Sequence, residues 1–349
     1  MDTVQGVTDP PFLRNVGLLL TYHCQAACAH CIIRAGPNRH EEVRLEDARD
    51  WIRQIAAYRD RYVYVLSLTG GEPFSNLPLL RAVMECAVDS QLHASVVTNG
   101  FWATSRDEAK QLLQSLPRIC FVSISTDVYH QKFVPFEHVK NAIWAFQECG
   151  IPYYVALTTD NPNNPDYQRV NAEVAGLTDP KNIRTGIIFP VGRAGQLVSR
   201  LQYCLTRTPP NEACEAASSP CIFPDGRVYG CIGPLLDLKC PHPLLLGNLR
   251  ETPLADIFDR AETNVVLHAL RLWGPARLIS MLQEAGLAQH LPTEYVSGST
   301  CDPCYKLMAC PETRQWLSQL DKNTEFRRKV AYGRLHYLEE TAMLELAGL

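Results

Sequence analysis

Between residues 16 and 189, short apolar runs alternate with stretches in which apolar side chains recur every three or four positions. Residues 16–20 form the first run. Leu45, Ala48, Ile52 and Ile55 then mark a helix over 44–58. A β-rich run over 62–68 ends at Gly70-Gly71-Glu72-Pro73, a helix is predicted over 79–88, and a strand over 94–98 ends at Asn99-Gly100. The rhythm repeats with helices over 106–116, 137–149 and 167–175 and strands over 119–125, 153–159 and 183–189. Strands separated by helices must return to the same edge direction, so the sheet is parallel. Six such units fall short of the eight of a closed barrel. The fold class is α/β: a partial (β/α)6 parallel barrel, with an open doubly wound sheet as the second choice. Either form gathers ligands at the carboxyl ends of its strands.

The rhythm stops near residue 195. Proline and cysteine become frequent over 209–243, and Pro224-Asp225-Gly226 predicts a hairpin turn between Cys221 and Cys231. A helical stretch over 254–287 precedes Cys301-Asp302-Pro303-Cys304, and a charged helix is predicted over 325–346. The expected division is a core domain over 1–195, a smaller cysteine-rich domain over 196–322 and a C-terminal helix over 323–349.

Composition narrows the function. The 349 residues are 46% hydrophobic and 20% charged, ordinary for a globular chain. A net charge of −4 without a Lys/Arg block argues against nucleic acid. No apolar run approaches the ~20 residues of a membrane span. Residues 1–11 lack the pattern of a signal peptide, so a cytoplasmic protein is expected. Fourteen cysteines in such a chain point to metal binding rather than disulfides.

The sharpest signal is Cys24-x3-Cys28-x2-Cys31, directly after the first strand. Three thiolates from one loop suit an iron–sulfur cluster whose fourth metal position stays open for a ligand. The spacing alone equally allows a zinc knuckle or buried thiols.

A C-x3-C-x2-C loop after the first strand, followed by Gly70-Gly71-Glu72-Pro73 after the second, resembles the radical S-adenosylmethionine (SAM) enzymes. That resemblance implies a [4Fe-4S] cluster on Cys24, Cys28 and Cys31, with SAM on its open iron. It further implies reductive cleavage of SAM to a 5′-deoxyadenosyl radical that abstracts a substrate hydrogen. Gly70, Gly71, Glu72 and Pro73 would receive the SAM amino group. His30, where the family usually has an aromatic residue, would lie against adenine. Asn99, Ser123 and Ser125 at later strand ends would also contact SAM, and Arg193 would face the methionyl carboxylate or stand as a surface arginine. Asp127 and His130 are candidates for substrate contact or proton transfer, the plainer reading of His130 being a packed turn residue.

The C-terminal cysteines resemble a SPASM or twitch domain, which carries auxiliary iron–sulfur clusters. One arrangement puts Cys214, Cys231, Cys301 and Cys304 on a single cluster. The other puts Cys214, Cys221, Cys231 and Cys240 on one cluster and Cys301, Cys304 and Cys310 on a second; the C-x2-C-x5-C run favours it. Arg314 stands where the pattern expects a further cysteine. Cys86, Cys120 and Cys149 read as small buried hydrophobes.

The same resemblance implies an external electron donor of the flavodoxin or ferredoxin type. It also implies a peptide or protein substrate, with a sugar or nucleoside as the alternative. The fifteen or so residues before the first strand are too few for a leader-peptide-binding module, so peptide recognition would fall to a separate protein. A non-catalytic metal-binding scaffold is the reading from another class.

Overall fold

The computed structural model describes residues 12–60 and 62–340. The chain opens with β1 (Asn15–Thr21), α1 (Leu45–Ala57), β2 (Val65–Gly70), α2 (Leu77–Asp89), β3 (His93–Thr98) and α3 (Arg106–Ser115). It continues with β4 (Ile119–Ser125), α4 (Phe136–Glu148), β5 (Tyr153–Thr159), α5 (Pro165–Ala175) and β6 (Ile183–Ile187). These six strands lie side by side in chain order, each parallel to the next. A doubly wound sheet would reverse its strand order at a switch point. Here the order never reverses and β6 does not pair with β1, which is the partial barrel.

Local sequence explains the elements. Six of the seven residues of β1 are buried, as a strand covered on both faces requires. Ala48, Trp51, Ile52 and Ile55 form the buried stripe of α1. The Ser105 side chain caps α3 by accepting from Glu108 N, and Asn164 with Pro165 starts α5.

The remaining elements are β7 (Leu205–Thr206), β8 (Cys221–Ile222), β9 (Arg227–Tyr229), β10 (Leu245–Asn248), α6 (Leu254–Glu262), α7 (Val265–Glu284), β11 (Tyr295–Val296), α8 (Cys301–Ala309), α9 (Pro311–Leu317) and α10 (Thr324–Tyr337). The 254–287 stretch is broken rather than one helix: the Asn264 side chain caps a new start by accepting from Leu267 N, and Gly274 interrupts α7 again. The predicted tail helix is α10, which ends at Tyr337; the predicted stretch past 340, like the segment read for a signal peptide, lies outside the described residues.

The hairpin of β8 and β9 does not stand apart. β8 pairs parallel with β1, with Gly17 opposite Cys221, so among the described residues the sheet has nine strands in the order β10-β9-β8-β1-β2-β3-β4-β5-β6. We propose the division near residue 195 as one of sequence rhythm, across which the sheet continues. β7 and β11 make a separate small antiparallel pair.

A buried ionic clasp fastens both ends of the described chain to this frame. Glu340 is 4% exposed and accepts from Phe12 N at 2.9 Å, Arg271 Nη2 at 2.6 Å and Arg334 Nε at 2.6 Å. Arg334 also donates to Glu262 Oε2 at 2.5 Å, and Arg271 to Ser218 Oγ at 3.0 Å. Burial works to raise the Glu340 carboxyl, but the Arg271 hydrogen bonds and the charges of Arg334 and Arg271 outweigh it and hold it below the usual carboxylate range. Its stabilisation is therefore present above the ordinary carboxylate pKa and is lost as pH falls through the lower folded-state value. Glu340→Gln leaves two buried guanidinium groups short of a partner, with an expected loss of about 3–5 kcal/mol. Urea unfolding at neutral pH measures the loss, and on acidification the variant should lose stability less steeply than the wild type.

Candidate active site

The loop after β1 carries Cys24, Cys28 and Cys31; it bonds itself at several points, Cys24 N to Gly36 O and Cys31 N to Cys28 O among them, and takes further partners from elsewhere. They come from two sides. From the β2 side, Gly71 N donates to Thr21 O at 2.6 Å and Glu72 N to His23 O at 2.9 Å. From the stretch after β6, Arg193 N donates to Cys31 O at 3.0 Å and Arg193 Nη1 to Cys28 O at 2.8 Å, while Nη2 bonds Ala35 O. Arg34 returns the contact through Nη2 to Gly192 O at 3.2 Å.

Two of these contacts have a plain physical reason. Gly71 is a glycine because a Cβ there would sit 2.1 Å from His23 O; the close approach is to the cysteine loop itself. The Arg193 guanidinium is spent on loop carbonyls, so its place is that of a staple under the loop.

Glu72 is fully buried and also turns away from the cavity. Its carboxylate accepts from Asn99 N at 2.7 Å, Thr98 Oγ1 at 2.8 Å and Phe74 N at 3.1 Å. Thr98 Oγ1 in turn accepts from Trp102 Nε1 and Gly100 N, which leaves its one proton for Glu72. Burial pushes the Glu72 carboxyl up to about 7 against these donors. Glu72 thus ties the loop after β2 to the loop after β3.

Cys24 and Cys28 are each 6% exposed, and burial pushes both thiols up to about 12. Thiolates in such a place need a compensating cation, which cluster iron would supply. Donors already face the sulfurs: Asn99 Nδ2 stands 3.6 Å from Cys24 Sγ and Ala35 N donates to Cys31 Sγ at 3.3 Å. The residues present therefore fit a three-thiolate cluster.

The three cysteines open on a cavity of about 410 Å³ at the carboxyl ends of the strands. His30, Gly70, Gly71, Asn99, Ser123, Ser125, Asp127 and His130 line it; Glu72, Pro73 and Arg193 do not. The lining also includes Tyr154, Ala156 and Thr158, which the motifs do not point to. They are alternate residues of β5, and the two-residue period of a strand carries that signal. Ile232, from beyond the hairpin, completes the wall.

Asp127 is 2% exposed. It accepts from Thr158 Oγ1 at 2.6 Å, His130 Nδ1 at 2.8 Å, Tyr129 N at 2.8 Å and His130 N at 3.0 Å. His30 Nε2 lies 3.5 Å away. Burial would raise its carboxyl, but His130, His30 and Thr158 outweigh burial and hold it well below the usual range. As a carboxylate it can only accept, so the His130 Nδ1 carries a proton. Burial pushes His30 down to about 4, against the attraction of Asp127, and its Nδ1 is buried without a partner.

In the C-terminal part, four thiols converge. Burial pushes the Cys304 thiol well up, and the neighbouring thiols of Cys214, Cys231 and Cys301 push the same way. Cys231 feels Cys214 and Cys301, and Cys301 feels Cys214. Among the described residues, neither this set nor Cys24, Cys28 and Cys31 brings three sulfurs within 4.8 Å of one another. A zinc tetrahedron with bonds of about 2.3 Å would need edges of about 3.7 Å; the wider spacing suits a cluster.

The remaining cysteines of that part have other neighbours. Cys221 is buried in the seam between β8 and β1, its Sγ against Gly17. Cys240 lies beside Tyr305. Cys310 Sγ stands 3.1 Å from Glu312 Oε2. Strand pairing sets the place of Cys221 and the turn between α8 and α9 that of Cys310, neither visible in spacing.

The radical SAM superfamily profile matches residues 18–162, a span that contains the cysteine loop and five of the parallel strands. The chain carries a radical SAM domain over that span. It is an enzyme, and the family implies a [4Fe-4S] cluster and SAM at the site just described. The chain is 21% identical to the "Putative peptide biosynthesis protein YydG" of Bacillus subtilis (strain 168) over 310 residues, 86% of this chain and 93% of that protein. It is 26% identical to the antilisterial bacteriocin subtilosin biosynthesis protein AlbA of the same organism over 125 residues, 36% of this chain and 27% of that protein. The crystal structure of BtrN in complex with AdoMet and 2-DOIA aligns with a TM-score of 0.44 and 13% identity over 75% of this chain and 88% of that chain, a likeness too loose to bear on function. No helix among the described residues is long and apolar enough to cross a membrane.

One local device sets Cys214 in place. Helix α7 breaks at Gly274, whose φ of 64° is outside the helical range. The break lets Glu212 O approach to where a Cβ would be 1.9 Å away, and Cys214 N donates to Leu270 O at 2.9 Å. Gly274→Ala should therefore displace Cys214. Reconstituted wild type and variant should differ by one cluster's worth of iron, about four per chain, as counted by metal analysis.

Proposed function

We propose that this radical SAM enzyme modifies a ribosomally made peptide or protein by a crosslink, an epimerisation or an oxidation of a side chain. The observation that carries this reading is the match to YydG, which spans nearly the whole of both chains. A cavity of about 410 Å³ is at the low end of what holds one drug-sized ligand.

Cys24, Cys28 and Cys31 would hold the cluster, with Gly70, Gly71, Asn99, Ser123, Ser125 and His30 around SAM. When bound, cluster and SAM supply hydrogen-atom abstraction from an unactivated carbon. The chain's own residues then do four things. Arg193 and the Gly71 loop keep the cysteine loop in shape. The walls exclude water. Asp127 fixes the His130 ring and its tautomer. His130 Nε2 takes up or gives back a proton beside the substrate.

Cys214, Cys231, Cys301 and Cys304 would hold one auxiliary cluster. Ile232 follows Cys231 and lines the cavity, which supports a substrate seated between the two cysteine sets. An electron donor of the flavodoxin or ferredoxin type is the expected external partner.

The test is anaerobic incubation of reconstituted protein with dithionite, SAM and peptides encoded beside its gene. 5′-Deoxyadenosine should form faster with the right peptide, by about tenfold or more, and the peptide should change in mass or take up solvent deuterium. Cys28→Ala should abolish both. His130→Gln should keep its iron but lose about 10²-fold in peptide product. Cleavage stimulated by sugars or nucleosides and indifferent to peptides would sink the peptide reading.

A further inference from the structure

We propose that His290, Cys310 and Glu312 form a separate mononuclear metal site for zinc or a similar divalent ion. Cys310 Sγ lies 3.1 Å from Glu312 Oε2, and His290 Nδ1 lies 3.9 Å from the same oxygen. All three donor atoms fall within 4.8 Å of one another. Bonds of about 2.3 Å to sulfur and about 2.0–2.2 Å to nitrogen and oxygen set tetrahedral edges of about 3.3–3.7 Å. Small side-chain shifts close the observed triangle to that size. Three protein ligands at a half-exposed place leave a position for water.

The donor chemistry selects the ion. One thiolate, one imidazole and one carboxylate suit zinc or another borderline transition ion, whereas calcium and magnesium take oxygen alone. The thiol is also free for the task, since Cys310 stands apart from the four cysteines that gather nearby.

The backbone that carries it is rigid. Cys310 N donates to Lys306 O at 3.3 Å, and Cys310 O accepts from Arg314 N at 3.1 Å and Thr313 Oγ1 at 3.0 Å. Arg314, standing where the cysteine pattern expects a further cysteine, bonds Met308 O at 2.6 Å and Ala309 O at 2.9 Å. Thiol and carboxylate are thus set by the turn between α8 and α9. His290 comes from the short turn before β11, with its N–H on Leu287 O at 3.0 Å.

The consequence is structural. The stretch from His290 to Cys310 contains β11 together with Cys301 and Cys304. An ion across its two ends closes that loop and holds the segment bearing two of the four gathered thiols.

The test uses the iron-loaded protein, dialysed anaerobically against buffered zinc, with metals counted and zinc X-ray absorption recorded. The wild type should hold about one zinc per chain with a single sulfur neighbour. Cys310→Ser and His290→Ala should each weaken zinc binding by about tenfold or more with iron unchanged, and the sulfur neighbour should vanish in Cys310→Ser. Absence of bound zinc, equal affinity in the variants, or a zinc surrounded by four sulfurs would overturn the proposal. Loss of iron in Cys310→Ser would also overturn it and would return that thiol to an iron–sulfur site. Because iron and zinc are read separately, failure here leaves the assignment of the four gathered cysteines intact.

Discussion

The whole site depends on how an irregular loop is kept in one shape. Cluster ligation needs three sulfurs at fixed places, and the loop that bears them, though it bonds itself through Cys24 N to Gly36 O, Gly36 N to Tyr22 O and Cys31 N to Cys28 O, has no regular structure to hold it. The fold holds it between two clamps. On one side the Gly70-Gly71-Glu72 turn lies so close that only glycine fits, and it bonds the carbonyls of Thr21 and His23. On the other, one arginine takes the carbonyls of Cys28, Cys31 and Ala35. Glu72 ties the first clamp to the β3 loop through three donors. The cavity is then the space these clamps leave between the strand ends.

The C-terminal part is built onto this frame rather than appended to it. Its hairpin extends the sheet beyond β1, the strand from which the cysteine loop departs. The hairpin then delivers Cys231 to the second cysteine set and Ile232 to the cavity wall. The helix break at Gly274 admits the segment bearing Cys214, and the clasp around Glu340 locks α6, α7, α10 and the approach to β1 together. Sites of distant sequence origin so share one rigid body of packing.

What could be read from the sequence follows the range of the physics involved. The strands and helices of the barrel, the cysteine loop and the glycine turn announce themselves through local period and spacing, and they stand within a few residues of where those signals put them. Arg193 shows the limit: an arginine after a sixth strand reads equally as a carboxylate binder or a surface arginine until the carbonyls of Cys28 and Ala35 are seen beneath it. Cys221 and Cys310 show another. Their spacing suits cluster ligation, but a strand pairing with Gly17 and a turn held by Arg314 decide where their sulfurs go. The Glu340 clasp joins residues 328 positions apart, beyond any pattern in the chain.

The central claim is that the thiols form two sets, three around an open site and four around a closed one. Iron and acid-labile sulfide counts on the fully reconstituted wild-type protein, with Mössbauer spectra to confirm four-iron clusters, test it most directly. About eight irons per chain, in two cubane clusters of which only one changes its spectrum on adding SAM, is the expected result. About twelve irons, or about four with the second cysteine set empty, would contradict it.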